Sequence, residues 1–204
     1  MRLRASRVAA VVLAGGRSER MGPVNKLLTV LGDTPMVARV ADQVLSSRAR
    51  PLVVVTGHDG AAVREALGMR PVLIAINPDF AAGMSTSLRA GVAALPDDIE
   101  AVLICLGDMP LVGPAVLDRL IDAFDPVRGQ TICVPVADGR PGNPVLFGRK
   151  HFAALACLTG DTGARAIVRG QPEAVVEVTF DDSSVLMDVD QPEDIKSITK
   201  HLFP

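Results

Sequence analysis

Three stretches of the chain hold the residue types that phosphate and metal chemistry use. The first runs Leu13-Ala-Gly-Gly-Arg-Ser-Glu-Arg-Met-Gly22 and leads into Asn25-Lys26. Gly15 and Gly16 let a ligand approach the backbone with no Cβ in the way, and successive backbone N–H groups there can form an anion nest. Arg17, Arg20 and Lys26 add three cations within ten residues. Arginine grips phosphate with paired donors, whereas lysine acts as a mobile point charge. The spacing is neither that of a Walker A loop nor that of the dinucleotide-binding G-x-G-x-x-G. A plain glycine turn with solvated arginines is the competing reading.

The second stretch, Leu106-Gly-Asp-Met-Pro110, sets Asp108 just beyond an apolar run. A carboxylate there, close to a triphosphate, suits Mg²⁺; a turn-capping aspartate is the alternative. The third is Asp188-Val-Asp190-Gln-Pro-Glu-Asp194. Asp188 and Asp190 alternate with apolar residues and so face one side of a strand. Asp190 reads either as a second metal ligand or as the N-cap of a helix opened by Pro192. Glu193 and Asp194 suit the positive first turn of that helix.

Two more regions are polar in an unusual way. Asn77 to Arg89 follows an apolar run and carries Gly83, Ser85, Thr86 and Ser87, whose backbone and hydroxyls suit a base, ribose or phosphate. An N-cap explains one of those hydroxyls but not all. The loops Gly139 to Phe147 and Gly160-Asp-Thr-Gly-Ala-Arg165 are assigned to a second substrate. His58, His151 and His201 stand alone and read as surface or structural residues. Cys105, Cys133 and Cys157 match no metal spacing and read as buried reduced thiols, which points to the cytoplasm.

These residues need a scaffold. Hydrophobic residues make up 49% of the chain, too many for a disordered protein, and 204 residues fit one domain, taken as 1–204. With no Trp or Tyr and a net charge of −2, neither base stacking nor a general pull toward nucleic acid is expected. Arg2, Arg4 and Arg7 before the apolar run Val8 to Ala14 resemble a signal peptide. The run is short, however, and ends in the Gly/Arg loop, so it reads as a first strand. No later run is long enough for a bilayer.

Strands are expected at Ala9 to Leu13, Leu52 to Thr56, Val72 to Ile76, Ala101 to Leu106, Thr131 to Val136, Pro144 to Phe147, Val175 to Phe180 and Val185 to Val189. Helices are expected after Thr34 as N-cap, over Ala61 to Leu67, after Ser85 or Thr86, from Pro114, over Lys150 to Leu158 and Gly163 to Arg169, and from Pro192. Fully apolar strands alternating with helices indicate a Rossmann-like three-layer α/β fold with a mostly parallel sheet. Ligands in such folds sit beyond the carboxyl ends of the strands, where the Gly/Arg loop and Asp108 fall.

Taken together, the motifs resemble the MobA-like NTP transferase family. The resemblance rests on Leu-Ala-Gly-Gly-Arg-Ser-x-Arg-Met-Gly with Asn-Lys-Leu-Leu, Asn77-Pro, Gly-Met-Ser-x-Ser-Leu-x-x-Gly, Gly-Asp-Met-Pro, Gly-Asn-Pro-Val-Leu-Phe and Gly-Asp-x-Gly-Ala-Arg. It spans about Val8 to Ile198. The middle and C-terminal motifs are similar to the molybdenum cofactor cytidylyltransferase branch, whereas Leu-Ala-Gly-Gly looks like the guanylyltransferase branch. The resemblance implies Mg²⁺-dependent nucleotidyl transfer from CTP, with GTP as the alternative, to the terminal phosphate of molybdopterin. A sugar phosphate is another acceptor, a molybdoenzyme is the implied recipient of the product, and a non-catalytic cofactor carrier is a competing role. Carried over by motif, Arg20, Lys26 and Asp108 would be catalytic. Leu13, Ala14, Gly15, Gly16, Arg17, Ser18, Lys26, Asn77, Gly83, Ser85 and Ser87 would hold the nucleotide, and Asp108 and Asp190 the metal. Asp188 is the alternative to Asp190.

Overall fold

The least interrupted apolar runs become the central strands of a sheet. The computed structural model describes residues 7–17 and 25–203. Ser18 and Arg20 therefore lie outside the described residues. In chain order the elements are β1 (Val8–Ala14), β2 (Val30–Leu31), β3 (Thr34–Pro35), α1 (Met36–Leu45), β4 (Leu52–Thr56), α2 (Gly60–Leu67), β5 (Leu73–Ile76), α3 (Met84–Ala93), β6 (Ala101–Leu106) and α4 (Pro114–Ala123). They continue with β7 (Ile132–Ala137), β8 (Arg140–Pro141), β9 (Val145–Gly148), α5 (Phe152–Ala156), α6 (Arg165–Gly170), β10 (Val175–Thr179) and α7 (Pro192–Leu202).

The main sheet has the order β10-β7-β9-β6-β1-β4-β5, with β8 paired to β7, while β2 and β3 form a separate hairpin. β1 pairs in parallel with both β4 and β6, β4 with β5, and β7 with β10. β9 runs antiparallel between β6 and β7. From β1 the chain winds outward through β4 to β5, then returns to the other side of β1 as β6. This reversal of winding opens a crevice beyond the carboxyl ends of β1 and β6.

Both faces of the sheet are covered, as the strand composition requires. Val8, Ala10, Val12 and Ala14 of β1 pack with Val37, Val40 and Val44 of α1, Val63 of α2 and Leu117 of α4. Val11 points the other way, to Leu88 of α3, Leu155 of α5 and Ile167 of α6. A smaller cluster of Leu31, Met36, Val189 and Ile198 ties α7 to the hairpin and α1. No helix among the described residues is long and apolar enough to cross a membrane.

Several local expectations are corrected. Val185 to Val189 is not a strand. Ser183–Leu186 forms a 3-10 turn in which Asp182 accepts a hydrogen bond from Ser184 N–H at 2.8 Å. Short-range capping wins because the Val185 carbonyl is already taken by Asn143 N–H at 2.9 Å rather than by a ladder. Thr34 is not the N-cap of α1. It pairs with Leu31 in the hairpin, and α1 starts after Pro35 with no side-chain cap. Neither Ser85 nor Thr86 caps α3, which begins at Met84 after Gly83. Cys105 and Cys133 are buried, with burial pushing each thiol up to about 12, but Cys157 is exposed.

Two predictions follow from the packing. A Cβ on Gly91 would lie 2.4 Å from Val11 Cγ1 and 3.0 Å from Val55 Cγ2, because α3 rests directly on the sheet. Gly91→Val should cost about 1–3 kcal/mol of stability through overpacking, read from denaturant unfolding; an unchanged midpoint would contradict this contact. His151 is 1% exposed and bonds Thr131 Oγ1 at 2.9 Å. Burial, with Lys150 nearby, lowers its pKa below the ordinary 6.5. The unfolded chain therefore takes up this proton first, so stability should fall as pH drops below 6.5 toward the folded value. In urea titrations at neutral and mildly acidic pH, His151→Gln should lose less stability than the wild type.

Candidate active site

The crevice holds the groups singled out by residue type, and three separate segments deliver them. Register places Leu13 of β1 opposite Leu106 of β6, and Gly107 N–H donates to the Leu13 carbonyl at 3.0 Å. Asp108 therefore emerges beside the start of the Gly15–Arg17 loop. Lys26 opens a 3-10 turn that Asn25 caps, its Oδ1 accepting from Leu27 N–H at 3.1 Å. Asn25 is 4% exposed, and its amide donates to Asp59 Oδ2 at 3.4 Å. The far end of the loop is thus tied to the segment after β4.

The third segment is C-terminal. Val189 is buried in the small α7 cluster, and its N–H donates to the Asp108 carbonyl at 3.0 Å. Asp188 and Asp190 flank this anchor. Asp190 does not cap α7. Gln191 is the N-cap, in a reciprocal capping box with Asp194, whose Oδ2 also accepts from Asp190 N–H at 2.9 Å. The Asp190 carboxylate is left to face the crevice.

Lys26 joins the three segments. Its Nζ lies 2.6 Å from Asp108 Oδ2 and donates to Asp190 Oδ1 at 3.2 Å and to the Val189 carbonyl at 2.6 Å. The Lys26 and Asp108 side chains are only 14% and 18% exposed, so solvent screens their attraction weakly. Burial works against the lysine charge, but Asp108 and Asp190 outweigh it and raise its pKa above the usual value. The Asp108 carboxyl is raised above its usual range, first by burial and further by Asp188, although Lys26 pulls the other way.

Asp108, Asp188 and Asp190 each offer a carboxylate oxygen within 4.8 Å of the others. One lysine does not neutralise three carboxylates, and Asp108 Oδ1 is buried with no hydrogen-bond partner among the described residues. A set of hard oxygen donors with spare negative charge suits a divalent cation of the Mg²⁺ type. The choice between Asp188 and Asp190 is therefore not exclusive, since both converge on Asp108.

A cavity of about 610 Å³ lies in front of this cluster, lined by Gly15, Gly16, Arg17, Lys26, Gly83 and Ser87 among others. Other expected residues stand behind its wall. Ala14, Asn77 and Ser85 are buried. The Asn77 amide donates to Thr86 Oγ1 at 2.8 Å and Ser87 Oγ at 3.0 Å, and its Oδ1 accepts from Asp79 N–H. Asn77 thus shapes the loop that carries Gly83 and Ser87. Phe80, Asp161 and Asp188 also line the cavity, and Arg17 lies 5.9 Å from the centre of the Phe80 ring. No sequence signal gave Phe80 a role, although its neighbours Asn77 and Gly83 marked the loop. A second cavity, of about 570 Å³, adjoins the first across Leu13, Met84, Leu106, Asp161 and Asp188.

This arrangement of Gly/Arg loop, part-buried lysine and acidic cluster at a sheet switch point has the chemistry that nucleotidyl transfer needs. Residues 10–176 match the MobA-like NTP transferase domain, and the chain belongs to that family. It is similar to the molybdenum cofactor cytidylyltransferase of Escherichia coli, with 26% identity over 195 residues covering 93% of this chain and 94% of that protein. It is also similar to the nicotine blue oxidoreductase of Paenarthrobacter nicotinovorans, with 29% identity over 191 residues covering 91% and 93%. Among solved structures, Rv0371c of Mycobacterium tuberculosis H37Rv in complex with manganese superposes with a TM-score of 0.79. The two share 29% identity over 97% of this chain and 100% of that one. The protein is a nucleotidyltransferase, and its substrate class is a nucleoside triphosphate.

Gly83 offers a direct test of how the two cavities are joined. It has φ +107, and an added Cβ would lie 2.5 Å from the Gly160 backbone and 2.7 Å from Asp161 Oδ1. Gly83→Ala should cost about 1–3 kcal/mol in backbone strain and weaken triphosphate binding, measured by thermal unfolding and calorimetric titration. Wild-type stability with wild-type affinity would rule out the interlock.

Proposed function

We propose that this protein transfers CMP from CTP to the terminal phosphate of molybdopterin, releasing pyrophosphate. The observation that carries the reading is the convergence of Lys26 with Asp108, Asp188 and Asp190 beside the Gly15–Arg17 loop. The similarity to a molybdenum cofactor cytidylyltransferase over nearly its full length supports the acceptor and the base.

In this mechanism the backbone of Gly15 and Gly16, the Arg17 guanidinium and the Lys26 ammonium bind the triphosphate, with Arg20 and Ser18 of the same loop as further donors. Asp108, Asp188 and Asp190 would hold Mg²⁺, whose charge would stabilise the phosphates as negative charge builds up on them. Lys26 now neutralises Asp108 and Asp190, and with substrate bound it turns its charge to the phosphate oxygens. The Gly83 and Ser87 segment, shaped by Asn77, Ser85 and Ala14 behind it, takes the base and ribose beside Leu13.

An oxygen of the acceptor phosphate attacks the α-phosphorus in line. A new P–O bond forms, the α–β bridging P–O bond breaks, and pyrophosphate leaves with the electron pair. A phosphate monoester is already anionic near neutral pH, so no side chain has to remove a proton. Alignment of the two phosphates carries much of the rate.

The test is a turnover matrix with Mg²⁺, crossing CTP and GTP with molybdopterin and sugar phosphates and scored by pyrophosphate release. CTP with molybdopterin should be fastest. Preference for GTP would reassign the base, and preference for a sugar phosphate the acceptor. Oxidation of a reduced dinucleotide with no pyrophosphate release would point instead to redox chemistry. Lys26→Ala and Asp108→Ala should each lower turnover by on the order of a hundredfold or more. Near-normal turnover in the Asp108 variant would remove it from the metal site.

A further inference from the structure

The second cavity has a composition unlike the first. Met84, Leu88, Ile104 and Val145 give it an apolar wall, and Arg165 and Arg169 supply its positive charge. The two arginines lie one helical turn apart on α6, so both project from the same face into the cavity. Among the described residues neither forms an ion pair or a hydrogen bond with a protein partner, whereas Arg48, Arg70 and Arg149 all do. Acidic residues are present too, but Asp161 and Asp188 belong to the border shared with the triphosphate cavity. Arg165 and Arg169 line the second cavity alone. The charge is thus divided: acidic residues line the shared border, and the two arginines line the second cavity only.

The position of α6 is fixed from the nucleotide side. Ser85 N–H donates to the Gly160 carbonyl at 3.2 Å, and Gly163 meets the Met84 sulfur, where a Cβ would stand 3.2 Å away. The Gly160–Ala164 loop leading into α6 therefore rests on the loop that borders the first cavity. Met84 and Leu13 line both spaces.

We propose that the second cavity is the acceptor pocket, and that Arg165 and Arg169 bind the phosphate of a phosphomonoester whose flat ring lies on the apolar wall. Its volume of about 570 Å³ falls in the usual range for a small-molecule site. Two guanidinium groups with no protein partner among the described residues provide the paired donors that phosphate oxygens accept. The shared border allows a phosphate held there to reach the α-phosphorus of a nucleotide in the first cavity. This assignment rests on nucleotidyl transfer to a phosphorylated acceptor, but its binding test does not need turnover.

The experiment has a kinetic arm and an equilibrium arm, using the full chain and the variants Arg165→Ala, Arg169→Ala, the double variant and Arg169→Lys. Both residues are exposed, and circular dichroism is used to check that each variant folds. In the kinetic arm, loss of each arginine should raise KM for molybdopterin about ten- to a hundredfold, with KM for CTP unchanged, the range expected for losing one charged hydrogen bond. Arg169→Lys should recover only part of the loss, because lysine lacks the two-pronged geometry. In the equilibrium arm, 6-hydroxymethylpterin phosphate and unphosphorylated 6-hydroxymethylpterin are titrated by their fluorescence. The phosphate ester should bind wild type more tightly than the free alcohol, and the double variant should bind the two equally.

If wild type shows no transfer to molybdopterin but the phosphate ester still depends on the arginines, the acceptor named above is wrong and the pocket stands. If the double variant binds the ester as well as wild type does, if wild type does not bind it, or if the donor KM rises in place of the acceptor KM, the pocket assignment is overturned.

Discussion

A lysine ammonium held between Asp108 and Asp190 is the contact around which this molecule is organised. Its three partners come from the end of a central strand, from the Val189 carbonyl and from the segment before the last helix. Holding a part-buried carboxylate such as Asp108 beside two others is unfavourable unless a cation offsets part of their charge. The fold meets that requirement with a residue that phosphates can also attract. The same feature that makes the folded crevice tolerable without substrate makes it ready for a triphosphate and a divalent ion.

The sheet topology makes the contact possible. Because β4 and β6 lie on opposite sides of β1, the loops after β1 and β6 diverge above the sheet and leave a gap between them. The gap would fall open on one flank without the C-terminal segment. Val189 closes that flank by binding both ways: its N–H to the Asp108 carbonyl, its own carbonyl to Lys26. The cluster of Leu31, Met36, Val189 and Ile198 is small, yet it fixes two of the three carboxylates. α7 thus supports the acidic centre in two ways, through the packing of Ile198 on Val189 and through Asp194, which accepts from Asp190 N–H.

Much of this was legible from residue order. β1, β4 and β6 are unbroken apolar runs, which only a sheet covered on both faces can bury, and their carboxyl ends pointed to Gly15, Lys26 and Asp108. The segment around Asp188 was singled out for its carboxylates, which the fold brings beside Asp108, but its backbone was read wrongly. Alternation over Val185 to Val189 looks like a strand, but nothing local reveals that Asn143 occupies the Val185 carbonyl. Asn77 illustrates a different limit. Its position after β5 marks it as unusual, but only the fold shows that its amide is consumed by Thr86 and Ser87. Arg165 and Arg169 carry no local signal that they lack protein partners, since that depends on how α6 is set against β6 and α3.

β9 runs against its neighbours β6 and β7. A strand reversed in this way brings its entrance, not its exit, to the catalytic end of the sheet, so Asn143 and Val145 arrive beside the ends of β6 that carry Asp108. The two cavities of the crevice are consequently built largely from different stretches of chain, which meet at Leu13, Met84, Leu106, Asp161 and Asp188. The segments after β1 and β5 frame the first cavity, and the approach to β9 together with α6 frames the second. Arg165 and Arg169 line the second cavity only, so changes at those positions leave the lining of the first in place. A scaffold divided this way lets the lining of one cavity be altered, one short segment at a time, while most of the other keeps its shape.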